Sequence, residues 1–590
     1  MLVYGDHPRR ESPERLIQEL RARLASLPEG GIERHAALAE GFIAAAELAR
    51  GLADAEFAVY GADQPSPLQD AAMAPVMALA RALLASWRAG FAAAEPELEA
   101  GLDVLAALPL PETIETKPGE GYAFYALYPE AYAEAAEASG LGPATTVVGI
   151  RSIGLGLAAI VAAALGAPAP ITVRPGGHPF RRTLALSPAL QKRFRQAAGG
   201  DFAVVDEGPG LSGSSFQAVA QALAQAGADP DRLVFFPSHA SEPGPRGDPA
   251  WRKRWSAARR AVVEFDDLVP RNPDPRLRLE AWVADLIGAP VAPLQDISGG
   301  GWRGLAFEDE AAWPPASTHQ ERRKFIARTG RGAWLLKFAG LGPDGPAKLA
   351  RARVLAQAGF SPAVAGLRHG FLVERWIEDS RPLDPAAFGR GRLVDHLGRY
   401  LGFRAARFPA GAGAGASLAA LVDMARTNAR EALGSEAEAA LDRWRDLEAL
   451  ERRVRRVETD NRLHAWEWRV GPGGDLLKTD ALDHAHAHDL VGPQDLAWDV
   501  AGAVCEFSLQ PEEAAALIAA IGHPVEPALL DLLVPCYLAF QLGAFTMAAE
   551  AHGSWPEEQA RLAGARDRYA ERLERTLRGL EGSTGPARLA

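Results

Sequence analysis

The run Phe202-Ala203-Val204-Val205-Asp206-Glu207-Gly208-Pro209-Gly210-Leu211-Ser212-Gly213-Ser214-Ser215 decides how the first half of the chain folds. Four apolar residues lead into two adjacent acids, a loop of glycines and hydroxyls follows, and Ser215 to Ala226 carries helical periodicity. A short apolar run closed by glycine and proline reads as a buried strand, and the turn residues after it let the backbone enter a helix. The same alternation extends both ways. Thr146 to Ile150, Pro170 to Val173 and Leu233 to Phe236 read as further strands, with Leu155 to Leu165 a helix between the first two. Strands alternating with helices on short connections specify a parallel α/β sheet.

The chemistry of this loop suits a ribose 5-phosphate. Asp206 and Glu207 stand at the carboxyl end of the strand, where they can hold vicinal hydroxyls. Gly210 and Gly213 let backbone N–H groups approach phosphate oxygens, Ser212, Ser214 and Ser215 add donors, and a helix N-terminus favours negative charge. One helix end contributes only ~0.3 to 2 kcal/mol, so several donors must act together. These residues resemble the signature of the type I phosphoribosyltransferases. The resemblance implies Mg2+-dependent transfer from phosphoribosyl pyrophosphate (PRPP) as co-substrate, with pyrophosphate released. It makes Arg151, Ser152 and Gly154, in the loop Gly149 to Gly156, a pyrophosphate site. Arg174, His178, Arg181 and Arg182 become a mobile basic loop closing on the leaving group. Asp206 and Glu207 would steady an oxocarbenium-like ribose.

Working outward, residues 12 to 100 read as helices. Ser12-Pro13 marks a helix start, and Ala71 to Ala93 is a further helical run. Residues 238 to 275 read as an extended connection with a basic, tryptophan-containing helix, ending at a boundary over Pro270 to Pro275. Length alone requires several domains in 590 residues. With 63 basic and 75 acidic residues the net charge is -12, which argues against non-specific nucleic-acid binding. Cys505 and Cys536, the two cysteines, lie in apolar helical surroundings and read as buried free thiols. The polar N-terminus and short alanine-rich runs lead us to expect a cytoplasmic protein acting on small molecules, with neither a membrane nor a nucleic acid as partner. Its oligomeric state stays open.

A second region begins near 290. Ser298-Gly299-Gly300-Gly301-Trp302-Arg303 could cover phosphates. Trp334-Leu335-Leu336-Lys337-Phe338 is a strand with one lysine, Pro346 to Gly359 a helix, and Phe371 to Trp376, which includes Glu374, another strand. Helices dominate thereafter, with Gly411 to Gly415 expected as a flexible loop. Asp460-Asn461-Arg462-Leu463-His464-Ala465-Trp466-Glu467 precedes Leu476-Leu477-Lys478-Thr479-Asp480 and Asp495-Leu496-Ala497-Trp498-Asp499. This half resembles the aminoglycoside-phosphotransferase-like small-molecule kinases, in a protein-kinase-like fold. The resemblance implies ATP as a possible substrate. It places Gly299, Gly300, Gly301, Lys337 and Glu374 around the nucleotide, Asp460 on the catalytic loop, and Asp480 and Glu467 on metal. The helix Pro346 to Gly359 has no acid, so Lys337 is expected to lack its usual ion-pair partner. His484, His486 and His488 crowd between the last two motifs, as a metal cluster or polar loop packing.

The expected architecture is thus α/β: a helical extension over 1–100, a phosphoribosyltransferase-like parallel sheet over 101–275, and an α+β kinase-like domain over 290–580 with a largely helical C-lobe. The function expected is a bifunctional enzyme joining phosphoribosyl transfer to a small-molecule phosphotransfer. A regulatory protein that senses nucleotides without turnover is the alternative.

Overall fold

The computed structural model describes residues 8–92, 99–210, 212–244, 247–318, 320–444, 446–487 and 489–581. Three helices open it: α1 (Pro13–Ala25), α2 (Gly31–Tyr60) and α3 (Pro67–Arg88). Ser12 caps α1 by accepting from Arg15 N, with Pro13 in the first turn. The run expected to reach Ala93 stops at Arg88, and Ala93 lies outside the described residues.

Helix α4 (Pro129–Ala138) leads into a parallel sheet of β1 (Thr146–Ile150), β2 (Ile171–Val173), β3 (Phe202–Val205), β4 (Leu233–Phe236) and β5 (Arg259–Arg260). Its order is β2-β1-β3-β4-β5. Helix α5 (Gly154–Leu165) connects β1 to β2, and α6 (Ser214–Gln225) connects β3 to β4. The chain steps from β1 to one side and returns on the other, so the order reverses between β1 and β3. That is the crevice where open parallel sheets take ligands. Both faces are buried: Val147, Ala203, Val205, Val234 and Phe236 join one core, and Val148, Val204 and Phe235 join another. The segment over 238–275, expected as an extended connection with a basic, tryptophan-containing helix, carries that helix and also completes the sheet. It supplies β5 and a helix, Pro249–Ala257, whose Trp251 and Trp255 pack on the second core.

An antiparallel sheet follows: β6 (Gln295–Asp296), β7 (Lys324–Thr329), β8 (Gly332–Phe338), β9 (Val364–Arg368) and β10 (Phe371–Arg375). Its order is β6-β7-β8-β10-β9, with α7 (Asp344–Gln357) between β8 and β9. Period-two alternation splits β8. Leu336 and Phe338 enter the first core, while Leu335 and Lys337 face a cavity. That core crosses the 270–275 segment, joining α2, α3 and α5 to Trp282, Phe325 and Phe371. A third core belongs to the C-terminal helices, among them α8 (Arg390–Arg407), α9 (Leu496–Glu506) and α10 (Pro527–Ala551).

Among the described residues two helices, α3 and α10, are long and apolar enough to cross a membrane, but 61% and 72% of their apolar windows are buried inside the fold. The loop expected to be loose at Gly411 to Gly415 is tied down at its end. Gly415, at φ +73°, lies where a Cβ would come 2.1 Å from Pro493 O, and Ala416 N donates to Val491 O. Cys505 and Cys536 are buried and unpaired, and burial pushes both thiols up to about 12.

Candidate functional site

Two arrangements of polar side chains emerge, one in each half. The first lies at the β1/β3 crevice. Gly154 opens α5 so close to β3 that a Cβ there would stand 2.7 Å from Val205 O and 3.2 Å from Asp206 Cα. Asp206 and Glu207 leave β3 at this contact. Glu207 N donates to Asp206 Oδ1 at 2.9 Å, and Tyr132 Oη donates to Asp206 O at 2.8 Å. Burial pushes Asp206 up to about 7, against the pull of Arg182 and Arg174. Burial, with Asp206 and Glu120 nearby, pushes Glu207 up to about 8. Both carboxyls therefore exchange protons near neutrality.

The loop after them behaves differently from expectation in part. Gly210 is exposed at φ +55°, and Gly213, at φ +67°, caps α6. Ser215 is half-buried in the first turn of α6. Ser212 and Ser214, expected as phosphate donors, instead donate their hydroxyls to Pro179 O at 3.2 and 2.7 Å. They tie the loop to a β-hairpin, Pro175–His178 with Arg181–Leu184. That hairpin is the basic loop: His178 and Arg181 are exposed, and Arg182 donates to Pro175 O at 3.1 Å. Arg151 is corrected. Its side chain is fully buried and paired with Asp54 at 2.9 Å and with Asp63, so it cannot meet a pyrophosphate. Arg174 is engaged too, its guanidinium on Asp54 and its backbone N on Asp63 Oδ2 at 2.7 Å. Ser152 remains exposed beside the crevice.

The second arrangement surrounds a cavity of about 220 Å3 between the antiparallel sheet and the C-terminal helices. Lys337, Glu374, Glu467 and Asp480 line it, with Tyr125 and Trp376 among the aromatics. Lys337 Nζ stands 2.7 Å from Asp480 Oδ1 and 2.6 Å from Asp483 Oδ2. The ion-pair partner missing from the helix after β8 thus comes from the Asp480 loop. On α7 a lysine, Lys348, faces inward instead of an acid, 2.5 Å from Asp483 Oδ1. Burial alone would raise both acids. Lys337, with His484 for Asp480 and Lys348 for Asp483, holds them well below the usual carboxylate range. Burial pushes Glu374 up to about 7 despite Lys337.

Asp460 is corrected as well. It is fully buried, does not line the cavity, and its carboxylate bonds Tyr400 Oη and lies 3.4 Å from Lys478 Nζ. Asp499, one turn into α9, accepts from Asp460 N at 2.7 Å and Asn461 N at 2.9 Å, which holds Asn461 at φ +62°. Burial and Asp460 push Asp499 up to about 6. Glu467, expected on metal, has Oε2 held by Lys478 at 2.7 Å. Ligand atoms of Asp460, Glu467 and His484 all lie within 4.8 Å of one another, but the Lys478 ammonium already supplies positive charge there. Among the described residues, His484 and His486 turn to different partners. His484 Nδ1 meets Asp460 O at 3.0 Å, His486 Nε2 turns to Glu458 at 3.2 Å, and His488 lies outside the described residues.

Gly299, Gly300 and Gly301 are corrected too. They do not line the cavity; Arg303 stacks against Gly300, whose N donates to Glu321 Oε2 at 3.1 Å. The cover comes from their neighbours Ile297, Trp302 and Ala316. Sequence reasoning missed Asp483, Lys348 and Lys478. Asp483, three residues past Asp480, and an inward lysine on an acid-free helix were the available signals.

No family model matches the sequence, and no curated protein matches it. Among solved structures, the choline kinase LicA of Streptococcus pneumoniae is similar at 14% identity, covering 50% of this chain and 96% of that one, with a TM-score of 0.32. A choline/ethanolamine kinase family protein from Mesorhizobium loti has 17% identity over 44% of this chain and 90% of its own, TM-score 0.30. Macrolide 2'-phosphotransferase type I has 17% identity over 49% and 95%, TM-score 0.31. At these values the likeness assigns neither activity nor substrate to this chain.

Proposed function

We infer that the second half is an ATP-dependent phosphotransferase acting on a small molecule. The observation that carries this is the meeting of Lys337 and Asp480, 2.7 Å apart on a cavity wall, one on a strand and one on the loop after a strand. Two opposite charges so placed are suited to divide a metal–polyphosphate between them. Lys337 would hold phosphate oxygens in place of Asp480, and the freed carboxylate would hold a divalent cation. Asp480 fits that cation: it is partly open to the cavity, and Mg2+ takes one or two carboxylates beside phosphate oxygens. Bound there, Mg2+ would neutralise charge on the transferring phosphoryl group. Asp499 keeps the Asp460–Asn461 turn rigid through two amide bonds, and Asp460 serves as its buried anchor, out of reach of an acceptor. Displacement of a fluorescent ATP analogue by Mg2+–ATP tests the reading. Binding by the full chain that is lost in Asp480→Asn supports it; no binding by the wild type removes it.

A second reading applies to the first half. Its support is the reversal of strand order between β1 and β3, with Asp206, Glu207 and a glycine loop at that crevice. These suit Mg2+-dependent phosphoribosyl transfer from PRPP, with Arg181 and Arg182 over the leaving pyrophosphate. Pyrophosphate release from PRPP with candidate acceptor bases supports transfer. Binding without release favours a nucleotide sensor.

A further inference from the structure

Away from both sites, three side chains from distant parts of the chain meet in the first core. His35 belongs to α2, Glu130 to α4, and His369 to the turn between β9 and β10. All three are buried, at 0%, 1% and 2% exposure. Glu130 Oε1 lies 2.8 Å from His35 Nε2 and 3.4 Å from His369 Nε2. One ligand atom from each lies within 4.8 Å of the others. Trp87, Phe91, Tyr128 and Trp282 pack around the imidazoles, so the surroundings are apolar.

Hydrogen bonding within the group is incomplete. Glu130 Oε2 and both ring nitrogens of His369 are buried without a partner in hydrogen-bond geometry. Such groups are costly to bury unpaired, and native interiors keep few of them. The cluster is nevertheless built with care. Ser86 Oγ lies 3.0 Å from His35 Nδ1, which aims Nε2 at Glu130. Tyr128 Oη donates to His369 O at 2.7 Å and secures that residue at φ +41°, a left-handed conformation unusual for histidine. A hydrogen-bond partner on the far nitrogen fixes an imidazole's tautomer and orientation, as outer partners do for metal-binding histidines.

We propose that His35, Glu130 and His369 form a structural zinc site that clasps the N-terminal helices to the antiparallel sheet. Zinc bonds to nitrogen and oxygen are about 2.0 to 2.2 Å, so tetrahedral ligands lie roughly 3.3 to 3.5 Å apart. The His369–Glu130 separation already matches, and the His35–Glu130 one needs to open by more than about half an ångström. Two imidazoles and Glu130 give three ligands; a carboxylate's two oxygens lie too close together to fill two tetrahedral positions, so a water would complete the four, and the ion would engage His369 Nε2, which hydrogen bonds leave out. With all three ligands buried, zinc would enter as the chain folds and resist chelation until it unfolds.

The test uses the full chain, purified without a metal-affinity tag. The proposal expects stoichiometric zinc by mass spectrometry. It also expects the intense visible bands of tetrahedral Co2+ when the protein is refolded with cobalt, which a six-coordinate ion at Asp480 would not give. His369→Gln should abolish those bands, and Ser86→Ala should weaken zinc retention against a chelating dye by about 10- to 100-fold. A wild-type chain that purifies without zinc, refolds to the same denaturation midpoint with or without it, and shows no tetrahedral cobalt bands would overturn the site. The three residues would then be a purely hydrogen-bonded cluster.

Discussion

Asp206 and Glu207 in the first half, and Asp480 and Asp483 in the second, are both pairs of carboxyls set just beyond a strand, half-buried except for the buried Asp483. Yet burial pushes the first pair up to about 7 and about 8, whereas lysines hold the second pair below the usual range. The difference is one of counter-ions. Lys337 and Lys348 neutralise the second pair from within 2.7 Å. The arginines that would do so in the first half are diverted: Arg151 and Arg174 are engaged by Asp54 and Asp63. One site therefore carries its own cation and must exchange it for a ligand; the other has a vacancy for positive charge or for hydroxyl donors.

The comparison breaks most visibly at Lys337. Lys337→Met leaves two carboxylates with only Lys348, and should cost about 3 to 5 kcal/mol in urea denaturation. A cost under about 1 kcal/mol would mean the acids are not ionised, against the contrast drawn above. The next effect concerns pH. Because Asp206 and Glu207 titrate higher in the folded chain than the ordinary value near 4, the folded state holds more protons between about pH 4 and pH 8. Stability falls as pH rises through that window, by several kcal/mol. Asp206→Asn with Glu207→Gln should flatten this slope and abolish PRPP binding in a calorimetric titration; an unchanged slope would mean the pair is solvated.

Smaller changes sharpen the picture. Gly154→Ala forces a methyl onto Val205 O and should destabilise by about 1 to 3 kcal/mol, and it should weaken PRPP binding by widening the crevice. Binding that survives while stability falls would put the ligand elsewhere. Arg181→Ala, on the exposed hairpin, should change stability by less than about 0.5 kcal/mol while reducing pyrophosphate affinity several-fold. Unchanged affinity would make the hairpin a solvated charge run.

What the sequence discloses follows the range of the forces involved. The Phe202–Val205 strand, the glycine loop and the Ser12 cap are local signals, and each forms where expected. The lysine strand and the Asp499 brace were legible in the same way, through spacing along the chain. Charge pairing was not. Arg151 meets an acid 88 residues away, and Lys337 meets acids 143 and 146 residues away, so neither partner leaves a mark on the neighbouring sequence. Asp460 stands at the expected place in the chain, but Tyr400 and Lys478, which enclose it, come from α8 and from the Leu476–Lys478 strand.

The central claim is that the Lys337–Asp480 cavity receives a metal-bound nucleotide. A crystal structure of the full chain with Mg2+ and a non-hydrolysable ATP analogue tests it most directly. The account predicts phosphate oxygens on Lys337 Nζ, the cation on Asp480, and the direct bond between these two side chains broken. Nucleotide bound anywhere else, with Lys337 still paired to Asp480 and Asp483, would contradict it.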